Sequence, residues 1–313
     1  NNPMPPRISV IMSVYNQESR VAAAIDSILA QDYSDFEFII INDGSTDGTR
    51  TLLESYNDHR IKLIHNDNNL YLAASLNKGL AIAQGDFIAR MDADDYAYPY
   101  RFSAQLEFLQ QHADIDVLGT LINFQVNGKT LSSDHRTDDL TIKANIFFTN
   151  PFAHPSVFIR RQFLLDHNLT YTESMRWIQD YKLWLDMMAA GARFANLPKA
   201  CLRYHNSPAQ KKIAMADEYR LCAERIWDQQ LAWLALPIDE ANRHLYYQVA
   251  WCKFNRSELL TLKRWLEVVA AANKKQQIYP EPAFSLALTK RYEHLRQLSS
   301  FGYKLKQLLK SFL

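Results

Sequence analysis

Four short runs dense in β-branched and aromatic residues alternate with helix-spaced segments over residues 8–91, and this alternation constrains the fold more than any other feature. Ile8–Val14, Phe36–Ile41, Ile61–Ile64 and Phe87–Met91 read as strands. Between them, 21–29 sets Ala22, Ile25, Ile28 and Leu29 at helical intervals, and 46–56 and 72–83 repeat the pattern. Strands that are apolar on both faces need cover on both, which implies a mostly parallel sheet flanked by helices. In such sheets ligands collect at the carboxyl ends of the strands. A further helix is expected over 101–112, a strand over 117–124, and an edge loop over 127–139, where Gly128 and Ser132-Ser133 lie. Strands at 156–159 and 200–204 flank a helix at 180–190. Beyond Ile213 strand signals cease, and helical spacing continues to the end with breaks at Pro237, Pro280 and Pro282. The expected organisation is an α/β domain over residues 1–212 and a helical C-terminal region over 213–313.

Composition narrows the function classes. Thirty-five Lys and Arg against 34 Asp and Glu leave a net charge of +1, which argues against a nucleic-acid binder. Sixteen Phe, 16 Tyr and 6 Trp are too many large apolar groups for a disordered chain. Cys201, Cys222 and Cys252 are odd in number and widely spaced, so they suit a reducing compartment better than a disulfide or zinc framework. No run reaches the ~20 apolar residues of a membrane span, and no leader pattern opens the chain, so a cytoplasmic protein is expected. Its last stretch qualifies that. Residues 290–313 hold six Lys and Arg against Glu293, and Phe301, Leu305, Leu308, Leu309 and Phe312 share a helical face opposite Lys306 and Lys310. Such a helix suits an anionic membrane surface. It equally suits packing on the protein's own core.

Polar clusters fall where the strands end. After the first come Val14, Tyr15, Asn16, Gln17 and Glu18, where Tyr15 could present its ring to a planar base and Asn16 and Glu18 could cap the next helix. After the second comes Asn42-Asp43-Gly44-Ser45-Thr46-Asp47-Gly48, in which an acid could accept from a pyrimidine N–H and Gly44 permits close backbone approach. Either loop alone reads as a helix cap. The fourth strand ends in Arg90-Met91-Asp92-Ala93-Asp94-Asp95, and three carboxylates within four residues repel one another unless a cation shares them. Hard divalent ions take oxygen ligands, and Mg²⁺ is held by one or two carboxylates plus substrate phosphates. Three clusters at strand ends of one sheet together describe a site for a nucleotide diphosphate and a metal.

These three segments, in this order and spacing, resemble the signatures of the family 2 inverting glycosyltransferases of GT-A fold, over roughly residues 7–210. The resemblance implies a UDP-sugar donor whose diphosphate is held through Mn²⁺ or Mg²⁺. It implies that Tyr15 stacks on the uracil, Asp43 bonds its N3, Asp92 faces the ribose and Asp94 holds the metal. Val14, Asn16, Glu18 and Arg90 complete the nucleotide side. Asn42 stands where the family more often has Asp. Ser75-Leu76-Asn77-Lys78-Gly79 resembles the family's Arg-Asn-x-Gly stretch, with Leu76 in place of Arg and Asn77 retained as a nucleotide contact.

Residues 177–184, Trp-Ile-Gln-Asp-Tyr-Lys-Leu-Trp, set Asp180 at a helix start, where an isolated acid reads as an N-cap. The family has Glu-Asp there and uses the Asp as general base, so the resemblance implies that role for Asp180, with Gln179 in place of Glu. Arg203-Tyr204-His205 resembles the family's Tyr-Arg-x-His segment, which implies His205 as a further metal ligand and Lys211 and Lys212 as diphosphate contacts. Asp95, His154, Trp177 and Gln179 are candidates for the donor-sugar or acceptor pocket. The pattern looks closest to bacterial lipooligosaccharide β-1,3-N-acetylglucosaminyltransferases, which implies UDP-GlcNAc as donor, a terminal galactose as acceptor, and work at the cytoplasmic face of the inner membrane. UDP-Gal or UDP-Glc transferases share most of these motifs. The alternative from another class is a haloacid-dehalogenase-like phosphatase using Asp92 and Asp94, against which stand Tyr96 where Thr or Val is expected and the motif's place on a fourth strand.

Overall fold

The computed structural model describes residues 7–205 and 216–300; the expected diphosphate contacts Lys211 and Lys212 and the basic tail 301–313 lie outside the described residues. The chain divides into two compact units, Asn1–Asp139 with Pro151–Cys222, and Leu140–Asn150 with Ala223–Leu313.

The first unit is the α/β one. Its strands are β1 (Ile8–Val14), β2 (Phe36–Asn42), β3 (Ile61–His65), β4 (Phe87–Arg90), β5 (Tyr96–Ala97), β6 (Val117–Val126), β7 (Lys129–Ser132), β8 (Phe158–Arg160) and β9 (Phe194–Arg203). They form a sheet of order β3-β2-β1-β4-β8-β6-β9-β5, with β7 paired to β6. β1 runs parallel to β2 and β4, and β2 to β3, as the buried apolar runs require; the mixed pairing enters at β8, antiparallel to both β4 and β6. Helices α1 (Val21–Leu29), α2 (Thr49–Glu54), α3 (Tyr71–Ile82), α4 (Arg101–Gln111), α6 (Arg161–Asp166) and α7 (Gln179–Ala189) follow the strands, while α5 (Asp139–Asn145) passes into the second unit at Leu140. Val14 lies opposite Asn42 and Ile11 opposite Arg90, so the ends of β1 and β2 are level and the turn after β4 continues beside them. Register alone thus brings the three polar clusters to one edge of the sheet.

Short elements β5, α5 and α6 were not expected, and two others depart from the reading of the sequence for local physical reasons. The expected edge loop is a hairpin, in which Asn127 and Gly128 at φ +49° and +76° turn the chain and β7 pairs back on β6. Asn-Gly supplies the positive φ that a two-residue hairpin turn needs. All four residues of β7 are exposed, so no apolar alternation announced it. β9 begins at Phe194, six residues before the expected strand, with Leu197 and Ala200 pairing consecutive residues of β6 so that Pro198 and Lys199 bulge out. Proline lacks the ladder donor and sits in strands at such bulges.

Glu37, in the buried β2, fastens this unit. Its Oε1 accepts from Ser9 Oγ at 2.5 Å and the Gln84 N–H at 2.7 Å, and Lys62 Nζ lies 2.5 Å from Oε2. Burial raises the carboxyl, but the bonds from Lys62, Ser9 and Gln84 outweigh it and hold it below its ordinary 4.5. A depressed carboxyl contributes stability above the unfolded pKa and loses it as pH falls through the folded one. Glu37→Gln is therefore expected to lower stability by about 2 kcal/mol at neutral pH, the scale of hydrogen bonds to a charged group. The gap in melting temperature from wild type should narrow below pH 4.5; a gap independent of pH would assign the loss to packing.

The second unit is helical. α8 (Ala216–Trp233) begins in the first unit and enters it at Ala223, followed by α9 (Glu240–Trp251), α10 (Leu259–Gln276) and α11 (Ala283–Ser299). Its aromatic centre comes partly from elsewhere in the chain: Phe147 packs its ring at 4.5 Å from Tyr246, 5.6 Å from Tyr279 and 5.6 Å from Phe284. Among the described residues no helix is long and apolar enough to cross a membrane.

Candidate active site

The loops after β1 and β2 are knitted together. Asn16 takes the left-handed conformation at φ +50°, and its Oδ1 accepts from the Thr46 N–H at 2.8 Å while its own N–H donates to Ser45 Oγ at 3.1 Å. Glu18 Oε2 accepts from the Gly48 N–H at 3.0 Å. Asn16 and Glu18 therefore brace the loop that opens α2; neither caps α1, whose N-cap is Arg20 with no side-chain cap bond. The positive φ at Asn16 turns the chain so that both side chains meet the neighbouring loop. Val14 is buried and Tyr15 stands 43% exposed.

Asp43 is buried, and its Oδ1 accepts from the Leu70 N–H and from Asn66 Nδ2, both at 2.8 Å. Asn66 is held in turn by Lys78 Nζ at 2.7 Å and bonds Ser75 Oγ at 3.0 Å, a bracing role the sequence did not signal. Asn42 Oδ1 accepts from the Ser45 N–H at 3.2 Å, closing the turn that holds Asp43 and Gly44. Asn77 has other partners than a ligand: its Nδ2 donates to Tyr171 O at 2.9 Å and Glu173 Oε1 at 3.1 Å, and its Oδ1 accepts from the Tyr171 N–H at 2.9 Å.

The acidic turn after β4 rests on two buried guanidinium groups. Arg90 Nη2 meets Asp92 Oδ1 at 2.5 Å, and the fully buried Arg101 donates to Arg90 O at 2.8 Å and to Gln105 Oε1 at 3.0 Å. Burial and the Asp92 charge raise the Asp94 carboxyl, against the opposing influence of His205 and Arg20. Burial and the same Asp92 charge push Asp95 well above the usual carboxylate range, although its Oδ1 accepts the His205 N–H at 2.8 Å. Its Oδ2 is buried with no partner among the described residues. Asp94, Asp95 and His205 line one cavity of about 600 Å³, with Arg20, Tyr96 and Tyr204 among its other walls.

Asp180 occupies the second position of α7, not the N-cap; the cap is Ile178 at φ +49°, which makes no side-chain cap bond. That is a costly conformation for a β-branched residue and it fixes the start of the helix. Gln179 and Asp180 are both buried, and Trp177 Nε1 donates to Glu218 Oε2 at 3.4 Å. His154 sits behind this helix, its Nε2 2.8 Å from the Tyr171 hydroxyl and its ring 6.2 Å from that of Trp184; burial, then the nearby Arg90 charge, hold it neutral well below its ordinary pKa.

One phenol ties these parts together. The hydroxyl of Tyr204, a side chain still 36% exposed, is pushed above its ordinary value by partial burial and then by the charges of Asp92, Asp95, Asp94 and Asp180, in that order. The base candidate and the acidic turn, 85 residues apart at their nearest, thus both act electrostatically on one phenol. Tyr204 lay inside a segment read for His205 and was not itself picked out.

Residues 9–169 match the family described as Glycosyl transferase family 2. The chain belongs to that family. An uncharacterized glycosyltransferase of Haemophilus influenzae is 32% identical over 233 residues, covering 71% of this chain and 72% of that one. The O-antigen biosynthesis glycosyltransferase WbnJ of Escherichia coli is 34% identical over 212 residues, 65% of this chain and 82% of that one. Among solved structures, S. aureus TarS 1-349 in complex with UDP-GlcNAc is similar with a TM-score of 0.60 at 20% identity, covering 94% of this chain and 90% of that one. The mannosyltransferase PcManGT of Pyrobaculum calidifontis, in complex with GDP-Man and Mn²⁺, gives 0.58 at 17% identity, covering 98% and 85%. The fold of this glycosyltransferase is thus the GT-A one its motifs led us to expect.

Gly44, in the turn after β2, has no room for a side chain. It sits at φ +69°, and a Cβ there would lie 2.5 Å from the backbone carbon of Asn68. Gly44→Ala is expected to cost at least the ~1–2 kcal/mol of a left-handed L-residue. It should also push away the loop that hydrogen-bonds Asp43, read as a lower melting temperature with faster amide exchange at Leu70.

Proposed function

We propose that this glycosyltransferase moves a sugar from a UDP-sugar to a hydroxyl of a bacterial surface glycan with inversion, using Asp180 as general base. The observation that carries the reading is the meeting of the three polar clusters at one edge of the sheet, beside a cavity lined by Asp94, Asp95 and His205. Tyr15 and Asp43 bind the base of the nucleotide, and Asp92 faces the ribose. Asp180 accepts the proton of the acceptor hydroxyl as its oxygen bonds to the anomeric carbon, and the bond to the diphosphate breaks on the opposite face.

A divalent ion fits the residues present. Among the described residues no three His, Cys, Asp or Glu form a metal site by themselves. Asp95 Oδ2, buried and without a partner among the described residues, and the crowded carboxylates nevertheless make a donor set short of positive charge. Such a set suits Mg²⁺ or Mn²⁺, which complete their shell with substrate phosphate. Asp94 and His205 would hold the ion, and when bound it would neutralise the charge on the departing diphosphate. Lys211 and Lys212 are read as diphosphate contacts, and Asp95, Trp177 and Gln179 as the sugar and acceptor wall. His154 supports that wall through Tyr171.

UDP-GlcNAc is the preferred donor and terminal galactose, linked β-1,3, the preferred acceptor; UDP-Gal and UDP-Glc are the alternatives. The O-antigen role printed for WbnJ supports a surface-glycan acceptor, and the UDP-GlcNAc bound by TarS supports the donor. The setting is the cytoplasmic face of the inner membrane, with tail residues 301–313 against anionic lipid. Release of UDP from a panel of UDP-sugars, with Mn²⁺ and with chelator, tests the reading. Orthophosphate in place of UDP would point to the phosphatase, and no release with any donor would reduce the protein to a binding module.

A further inference from the structure

The two units carry opposite charge. The helical unit holds fifteen Lys and Arg against eight Asp and Glu, a net of +7 in a chain whose total is +1, so the α/β unit is at −6. Within the helical unit α10 presents a divided surface. Leu262, Trp265, Leu266, Val269 and Asn273 are buried. At roughly 100° per residue, its exposed residues fill the opposite arc. Lys263, Arg264, Lys274 and Lys275 flank Leu260 and Val268, which are 56% and 51% exposed. The acid on this face, Glu267, lies 3.8 Å from Lys263.

We propose that this face of α10 docks on an anionic bilayer. The lysines and arginines meet lipid phosphates while the two aliphatic side chains enter the headgroup boundary, the pattern of interfacial helices. Nucleic acid would use the charge but leave Leu260 and Val268 without a role. The chain's own residues 301–313, with Lys304, Lys306 and Lys310 and no acid, are repelled by the face they would have to cover. The proposal adds a second contact to the membrane part of the proposed function, and its test separates the two.

The test is co-sedimentation of the full chain with phosphatidylcholine vesicles, with and without phosphatidylglycerol. Wild type is compared with Lys263→Gln/Arg264→Gln/Lys274→Gln/Lys275→Gln, Leu260→Ser/Val268→Ser, and a chain ending at Ser300. Wild type should bind only anionic vesicles. At roughly fivefold per charge, the quadruple variant should lose at least a hundredfold. The aliphatic pair should also weaken binding, and the shortened chain should keep a measurable part. Circular dichroism and UDP release confirm that the variants are folded. Undiminished binding by the quadruple variant, equal binding to neutral vesicles, or stronger retention on duplex DNA than on anionic vesicles would each overturn the proposal. None of these outcomes touches the transferase reading.

A second observation stands apart from the first. Asn77 grips both the N–H and the carbonyl of Tyr171 and reaches Glu173, while Arg176 lies 4.1 Å from the centre of the Tyr71 ring at the start of the same helix. Residues 171–176 are therefore strapped along α3 at two points, and the chain runs from there through Ile178 into Asp180. We infer that Asn77 is a positioning residue for Asp180, acting through this strap; the inference rests on Asp180 being the base. Small misplacements of a catalytic group cost up to ~10²-fold. Asn77→Ala should lower kcat about tenfold or more and leave UDP affinity unchanged. Asn77→Asp sets two carboxylates against each other and should do the same, and adding Glu173→Gln to it should recover most of the rate. Weaker UDP binding at unchanged kcat would make Asn77 a nucleotide contact and overturn the inference, as would failure of Glu173→Gln to rescue. A failure of the base reading itself would show separately, in Asp180→Asn.

Discussion

Asp180→Asn is expected to turn over at least about a hundredfold more slowly than wild type while binding UDP almost as tightly. General-base contributions run to ~10²–10⁴-fold, and a base acts in the transition state, so its loss falls on kcat. The substitution keeps size and removes the proton acceptor. Because the cap of α7 is Ile178 and not Asp180, a large loss of fold stability is not expected from it. Steady-state kinetics, UDP titration and a melting curve on this one variant decide the matter. Retained turnover would move the base to another acid, with Asp95 and Glu173 the first to examine. Joint loss of stability and activity would make Asp180 a structural acid.

Asp94→Ala should abolish transfer and with it the dependence of UDP binding on Mn²⁺. Asp94 faces the cavity with its carboxyl raised by burial and by Asp92, a state that a shared cation relieves. Removing one carboxylate from such a crowd lightens the repulsion, so the variant should melt no lower than wild type even as it loses function. UDP titrations with Mn²⁺ and with chelator give the answer. If Mn²⁺ still stimulates the variant as it does wild type, Asp94 does not hold the ion.

The sheet was legible because β1, β2 and β4 bury both faces and so announce themselves by composition. The acidic turn was legible because three carboxylates in four residues have few physical excuses. What stayed hidden depends on long-range partners. Nothing local marks Arg101 as holding the carbonyl of Arg90, or Asn66 as holding Asp43, since each bond joins residues that only the folded chain brings together. Asn77 shows the same limit: a motif can flag a residue as important while the partner it serves, here Tyr171, sits 94 positions away. The hairpin at Asn127-Gly128 was readable in principle from turn chemistry, but β7 exposes every side chain and offered no apolar pattern to confirm it.

Phe147 has a consequence for how such a protein is inherited and rebuilt. The segment Leu140–Asn150 belongs with helices that begin more than seventy residues later. A gene cut once near residue 223 would separate this ring from Tyr246, Tyr279 and Phe284, leaving one product with a greasy orphan and the other with an aromatic socket. Swapping the helical unit between relatives therefore takes two exchanges, one of them a donation of eleven residues from the middle of the α/β half. Chimeras made with the second exchange included should come out of the ribosome soluble, and those without it should collect in inclusion bodies.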